Sequence, residues 1–166
     1  MEGVYSYGLK TSEIAMVSLG KWLFLAGGSQ PGNDIDNDNT IIVDALGNKR
    51  NGPKLEQAKR AACAAVLKDE GGHKTIAVLG GSHSYKDMEI FFRDMEIFSC
   101  SIGDNPTCIK KPNGPKMQTG HVWFGCGVIQ GQNGGKILLA MRDWNGGKTE
   151  TLDLDDDSAQ WKICEK

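Results

Sequence analysis

The stretch that decides the fold is EGGHKTIAVLGGS, residues 70–82, in which a glycine turn and a lysine precede an apolar run that ends at Gly80 and Gly81. Residues 18–29, SLGKWLFLAGGS, repeat this pattern and end at Gly27 and Gly28, and residues 132–144, QNGGKILLAMRDW, repeat it without the closing glycine pair. A short apolar run between turns is typical of a strand buried on both faces. The three copies therefore predict three equivalent structural units.

Each apolar run lies between two weaker apolar stretches. IAMVSL, AACAAVL and FGCGVI come before the runs, and TIIVDAL (40–46), DMEIFF (87–92) and TETLDL (149–154) come after them. The two glycine pairs are 53 residues apart, and four-stranded units repeating at about 40–50 residues are typical of β-propeller blades. We therefore predict an all-β fold of three four-stranded blades in a single region, with approximate units 12–57, 58–116 and 117–166.

One segment favours an alternative α/β fold. Residues 53–72, PKLEQAKRAACAAVLKDEGG, are rich in helix-forming residues, with proline near the start and a glycine pair at the end, and they predict a helix at about 54–69. The equivalent part of the third copy, HVWFGCGVIQG, contains glycines and β-branched residues that disfavour a helix. If the copies share one structure, that structure is a strand.

Composition and charge exclude several classes of protein. The chain has 166 residues and a mass of 18.0 kDa, which suits one domain. Its net charge is −2 with scattered basic residues, so we expect no nucleic-acid binding. No window approaches the length of a membrane span, and the first residues lack the pattern of a secretory signal, so we expect no membrane insertion. A cytoplasmic and an extracellular location both remain compatible.

The five cysteines leave the redox compartment open. An odd number cannot pair completely within the chain. Cys100 and Cys108 bracket the turn-rich segment SIGDNPT, and a disulfide there would indicate an oxidising compartment. Free thiols in a cytosolic protein are equally compatible with the sequence.

The repeated units resemble the Kelch repeat. The features that carry the resemblance are KWLFLAGG, TIAVLGGSHSYKDMEIFF with the basic and small residues 59–63 before it, and GPKMQTGHVWFGCGVIQGQNGGKILLA followed by TETLDLDDDSAQW, which ends in Trp161. The third unit has Met141 and Arg142 where the glycine pair belongs. The resemblance covers most of the chain and implies a partial propeller. Because propellers close with about four to eight blades, we expect either a fragment of a longer propeller, which we favour, or two copies that complete one ring.

Glycine pairs at the ends of buried strands have a structural interpretation. Gly27, Gly28, Gly80 and Gly81 can adopt positive φ and allow neighbouring backbones to approach closely, and we expect them, with Trp161, to be structural residues. Neither GxGxxG nor GxxxxGK[ST] occurs, so phosphate binding is not indicated.

The resemblance implies a non-enzymatic protein-interaction module, a scaffold or adaptor that binds a protein partner through loops between strands. Those loops correspond to residues 29–39, 82–87 and 142–148. Their candidate binding residues are Asp34, Asp36, Asp38, His83, Tyr85, Arg142 and Trp144. Tyrosine, arginine and tryptophan are enriched at binding hot spots, and the acidic first loop would prefer a basic partner.

The sequence offers no catalytic residue and predicts no cofactor. His73, His83 and His121 show no metal-binding spacing, and no G-x-S-x-G motif occurs. Residues 34–38 have the aspartate spacing of an EF-hand, but Asn39 and Ala45 replace its essential glycine and glutamate, so no metal site is predicted. The alternative function is part of a propeller-scaffold enzyme, of the copper radical oxidase or a sugar-converting class, whose ligands would come from other blades.

Overall fold

The computed structural model describes residues 12–30, 35–85, 88–131, 133–141 and 148–164. Within these ranges the chain forms β-strands and no helix, which confirms the prediction of an all-β fold. It follows that these ranges hold no helix of the length and apolarity that crossing a membrane requires. Asp34, Arg142 and Trp144 lie outside the described residues.

The described strands include three four-stranded antiparallel sheets, each built from one continuous segment with its strands adjacent in chain order. Sheet 1 contains β1 (Ala15–Leu19), β2 (Trp22–Ala26), β5 (Thr40–Asp44) and β6 (Lys49–Asn51). Sheet 2 contains β7 (Cys63–Glu70), β8 (His73–Leu79), β11 (Met95–Ser101) and β12 (Cys108–Lys111). Sheet 3 contains β13 (Cys126–Gln130), β14 (Lys136–Ala140), β15 (Glu150–Asp153) and β16 (Lys162–Ile163). None of the sheets closes on itself in the described residues.

Two short hairpins interrupt this pattern, each between the second and third strands of a sheet. The first pairs β3 (Ser29–Gln30) with β4 (Ile35–Asp36) and follows the glycine pair at the end of β2. The second pairs β9 (Ser82–Tyr85) with β10 (Met88–Phe91) and follows the glycine pair at the end of β8. Both hairpins therefore leave the same ends of their respective sheets.

The alternative helix at 54–69 is wrong. Residues 61–62 lead without a helix into β7, which pairs with β8 along its length apart from an irregularity between Val66 and Lys68. Ala62 and Ala64 pack against one hydrophobic cluster and Ala65 belongs to another. Small side chains on both faces allow β7 to lie between neighbouring sheets, and this tertiary packing overrides the helical propensity of alanine.

The third strand of sheet 2 was predicted at 87–92 and lies instead at Met95–Ser101. The pentapeptide DMEIF occurs twice, at 87–91 and 94–98. The second copy enters β11, where Met95 and Phe98 are at most 2% exposed, and the first contributes to the exposed strand β10. The hairpin is thus an insertion that displaces the core strand by seven residues along the chain.

Sheet 2 lies between sheets 1 and 3, and β8 is buried on both faces. Ile76 and Val78 join the cluster shared with sheet 1, whereas Ala77 and Leu79 join the cluster shared with sheet 3. Alternation of side chains across a strand explains this division. Sheets 1 and 3 leave apolar side chains exposed elsewhere, among them Met16 and Leu23 on sheet 1 and Ile129 on sheet 3.

Trp161 is buried in the cluster between sheets 2 and 3. Its indole Nε1 donates a hydrogen bond of 2.9 Å to the carbonyl of Pro115, and its own carbonyl accepts one of 2.6 Å from the side-chain amide of Gln118. These contacts attach the last strands of sheet 3 to the segment that leads into its first strand.

Buried glutamates at the start of the third strand hold the segments that precede sheets 2 and 3. Glu96 accepts the backbone N–H of Glu56 and lies 2.9 Å from the ammonium of fully buried Lys59. Burial raises the pKa of Glu96, but the ammonium groups of Lys59 and Lys110 together lower it by more, so that the pKa lies below its usual 4.5. The carboxylate therefore stays ionised and fixes residues 56–59 against β11.

Glu150 has the corresponding role in sheet 3. Its carboxylate accepts the backbone N–H groups of Gln118 and Thr119 and the Thr119 hydroxyl, and lies 3.0 Å from Nε2 of buried His121. Burial raises the pKa of Glu150, yet the Thr119 hydroxyl and these backbone donors leave it below 4.5. Residues 118–121 are thereby fixed where they pass the end of sheet 2.

Two disulfides join described strands. Cys100 and Cys108 pair across β11 and β12. Cys63 and Cys126 join β7 to β13, and thus connect the first strands of sheets 2 and 3. Cys164 is a free, exposed thiol.

Candidate functional site

The two glycine pairs place the hairpins at the junctions between sheets. Gly27, Gly28, Gly80 and Gly81 all have positive φ, at 68°, 95°, 56° and 93°. A Cβ on Gly27 would lie 2.3 Å from the carbonyl oxygen of Lys59, and a Cβ on Gly80 would lie 2.7 Å from that of His121. Each pair thus lies directly against the segment that leads into the next sheet. The hairpin that follows each pair begins at this point of contact.

A buried carboxylate joins the first hairpin to the second. Asp36 ends β4 with its side chain fully buried, and its Oδ2 lies 2.8 Å from Nδ1 of His83 and accepts the backbone N–H of Ser84 at 2.8 Å. His83 and Ser84 are on β9. The carboxylate of Asp36 therefore holds the two hairpins together and faces inward.

Arg60 lies beneath this contact and neutralises the surrounding carboxylates. Its guanidinium is within 3.5–3.7 Å of Glu13, Asp36 and Glu89 and donates a hydrogen bond of 2.5 Å to the Ser84 hydroxyl. Its backbone forms two hydrogen bonds with Ser82, the first residue of β9. The base of the second hairpin is thus fixed through both main-chain and side-chain contacts.

Hydroxyl groups near His83 are already engaged elsewhere. The Ser82 hydroxyl donates to Glu89 at 2.7 Å, and the Ser84 hydroxyl accepts from Arg60. A serine nucleophile needs a hydrogen bond to its base, and neither hydroxyl makes one to His83 in the described part of the chain. The polar cluster positions the hairpins and does not resemble an acyl-transfer site.

The second hairpin exposes apolar side chains on both of its faces: the register of the pairing places Tyr85, Met88 and Ile90 on one face and Phe91 on the other. Tyr85, Met88, Ile90 and Phe91 are 50%, 63%, 46% and 38% exposed. The 119–124 segment borders the hairpin, because the backbone of Phe91 lies against Gly120. Trp123, three residues further along this segment, is 55% exposed. We call Tyr85, Met88, Ile90, Phe91 and Trp123 the hairpin surface.

The residues predicted from sequence occupy different places in this arrangement. Asp36 is buried beneath the hairpins, and His83 is one-third exposed beside it. Asp38 forms an ion pair of 2.9 Å with Lys54, and Tyr85 belongs to the hairpin surface. Asp34, Arg142 and Trp144 lie outside the described residues.

Sequence reasoning missed Arg60 as a contact of the loops, and it missed Met88, Ile90, Phe91 and Trp123 as exposed residues. The duplicated DMEIF was the available signal, because only one copy can form the third strand of sheet 2.

Metal-binding groups do not converge in the described residues. Within them, no cluster of three or more histidine, cysteine, aspartate or glutamate side chains is arranged to hold a metal ion. The carboxylates of the acidic loop that the structure describes contact cationic side chains instead, Asp36 with Arg60 and Asp38 with Lys54.

A solved structure shares the fold of the chain. No family model matches the chain, and no curated protein matches it. A solved chain from the cryo-EM structure of RAG in complex with one melted RSS and one unmelted RSS is similar, with a TM-score of 0.58 and 13% identity over 97% of this chain and 54% of that chain. The chain thus spans about half the length of this neighbour. An identity this low shows a shared fold alone.

Proposed function

We propose that the chain is a non-enzymatic protein-interaction module of the Kelch β-propeller type, which binds a protein partner through its inter-strand loops. Three four-stranded antiparallel sheets that pack in chain order, with glycine pairs at the junctions, support the assignment of consecutive blades. Further blades of a closed ring would cover the apolar side chains that sheets 1 and 3 leave exposed.

The observation that carries the proposal is the hairpin surface. The same side chains, methionine, isoleucine and phenylalanine, are exposed in the first DMEIF copy, while Met95 and Phe98 of the second copy form core. Exposed apolar residues that cluster on one element indicate a protein-binding site. Tyrosine and tryptophan, both present here, are among the residue types that dominate binding energy.

The base of the hairpin supports binding because it is already fixed. Asp36, Arg60 and the Ser82–Arg60 backbone pair hold β9 in place. A preorganised loop loses less conformational entropy when it binds. The surface therefore suits a partner that presents an apolar patch.

The two disulfides favour the extracellular alternative over an intracellular adaptor. Disulfides persist in oxidising compartments and are rare in the cytosol. Because Cys63–Cys126 joins two sheets, it stabilises the scaffold that carries the loops.

Site-specific photo-crosslinking tests the proposal. A benzophenone amino acid at Met88 should form a defined crosslink to a partner, and one at Leu46, which is 88% exposed in the turn between β5 and β6, should not. Excess unmodified chain should compete for the Met88 crosslink, whereas chain carrying Ile90→Asp and Phe91→Asp should not. Equal crosslinking at both positions, or equal competition by both chains, would contradict the proposal.

A further inference from the structure

A cavity of about 380 Å³ lies between sheets 2 and 3, within the size range of about 300–1,000 Å³ that is usual for ligand sites. Glu70 at the end of β7 and Lys136 at the start of β14 line it. The hairpins follow the last residues of β2 and β8, whereas Glu70 and Lys136 lie at the other end of sheets 2 and 3. The cavity therefore extends to the end away from the hairpins and does not depend on the hairpin surface.

The cavity has an apolar floor. Leu67, Met95, Ile97, Leu152 and Leu154 contribute side chains from β7, β11 and β15 and from the turn after β15. Such a floor favours contact with aliphatic groups. It does not by itself select among apolar ligands.

The rim of the cavity is acidic. Its five carboxylates and two ammonium groups belong to Glu70, Asp153, Asp155, Asp156, Asp157, Lys68 and Lys136. Within the described residues, none of these five carboxylates has a cationic nitrogen within 4 Å, although the charge of Lys162 attracts Asp156. The cavity mouth therefore has an excess of negative charge that a cation would neutralise.

Backbone contacts fix several of the rim carboxylates. Asp155 Oδ2 accepts the backbone N–H of Lys136 at 2.8 Å, and Asp153 Oδ1 accepts that of Asp155 at 3.0 Å. Hydrogen bonds from the Ser158 hydroxyl and backbone N–H hold the pKa of Asp156 below its usual 3.8. These hydrogen bonds hold the three carboxylates in place, and the carboxylate of Asp156 is ionised at neutral pH.

We propose that this cavity binds a lysine or arginine side chain from a basic segment of a protein partner. The aliphatic part of the side chain would lie on the apolar floor and its charge at the acidic rim, which is the arrangement that long cationic side chains adopt at apolar surfaces. A neutral ligand would leave the charge of the anionic rim unpaired, and an anionic ligand would be repelled by it. A long cationic side chain matches both the rim and the apolar floor.

The test uses the ¹⁵N-labelled chain and the tripeptide acetyl-Lys-Arg-Lys-amide at low ionic strength. We expect amide shifts to be concentrated at residues 67–70 and 152–159, and no such shifts with acetyl-Gln-Gln-Gln-amide. Glu70→Gln combined with Asp157→Asn should weaken binding roughly two- to thirtyfold, because it removes two partly exposed charges from the rim. Glu56→Gln with Asp104→Asn removes the same charge elsewhere and should leave the affinity unchanged.

Three outcomes would overturn the proposal. Shifts spread over all acidic surfaces would show non-specific attraction, and an affinity unchanged by Glu70→Gln with Asp157→Asn would exclude the rim. Calcium chloride alone, if it saturates the same residues at a stoichiometric concentration, would assign the site to a metal ion. All three can be observed whether or not the hairpin surface binds a partner.

Discussion

Nδ1 of His83 lies 2.8 Å from Oδ2 of Asp36, a contact between residues 47 positions apart that fixes one hairpin against the other. Asp36 also accepts the N–H of Ser84 and lies near Arg60. The Asp36 carboxylate therefore fixes the position of the hairpin that follows β2 relative to the hairpin that follows β8.

Asp36→Asn removes the charge of this carboxylate and should destabilise the protein by about 1–3 kcal/mol, the usual cost of disturbing a buried hydrogen-bonded group. The amide of Ser84, which donates to Asp36, should exchange with solvent faster. Denaturant unfolding and hydrogen exchange measure the two effects. Asp38→Asn, whose partner Lys54 is exposed, is the control and should cost less than about 1 kcal/mol; equal losses would show that Asp36 does not have this role.

The two DMEIF copies provide a matched comparison of surface and core. Phe98→Ala should lower the free energy of unfolding by about 3–5 kcal/mol because Phe98 is fully buried against Phe24. Phe91→Ala changes the same residue type in an exposed hairpin and should cost less than about 1 kcal/mol. Chemical denaturation gives both values, and a large loss at Phe91 would mean that the hairpin is part of the core.

This comparison also shows how far sequence reasoning extends. The apolar runs at β2, β8 and β14 predicted the second strand of each four-stranded sheet, because a short apolar run bounded by turns indicates a buried strand. The choice between two identical pentapeptides depended on which copy could pair with β8, a long-range property that local pattern does not contain. The Asp36–His83 contact is likewise set by the packing of sheets and has no local signature.

Removal of the disulfide between sheets 2 and 3 should have a larger effect than removal of the one within sheet 2. Cys63→Ala with Cys126→Ala opens a link between residues 63 positions apart and should cost about 4 kcal/mol in the chain-entropy description. Cys100→Ala with Cys108→Ala opens a separation of 8 and should cost about 2–3 kcal/mol. Cys164→Ser should leave thermal unfolding unchanged since Cys164 is free and exposed. The opposite order would indicate that sheets 2 and 3 stay docked without the link.

Alanine substitutions at Gly27 and at Gly47 distinguish the stability cost of backbone strain from the cost of steric overlap. Both have positive φ, but a Cβ on Gly27 would lie 2.3 Å from the Lys59 carbonyl, whereas one on Gly47 meets nothing within 4 Å. Gly47→Ala should therefore cost only the strain of about 1 kcal/mol. Gly27→Ala adds overlap with backbone and should cost about 3 kcal/mol or more. Equal losses in a denaturation experiment would contradict the close approach at Gly27.

Acid should destabilise the protein through Glu96 and Glu150. Each has a pKa in the folded state below the usual 4.5, so its stabilising contribution is fully present above that value and is lost as the pH falls through the lower folded pKa. Glu96→Gln leaves Lys59 buried without one of its carboxylates and should cost about 3 kcal/mol or more at pH 7. It should also flatten the fall in unfolding free energy below about pH 4.5. Glu56→Gln, at a half-exposed position, should leave the acid dependence unchanged, and a parallel fall in both variants would show that other carboxylates govern acid unfolding.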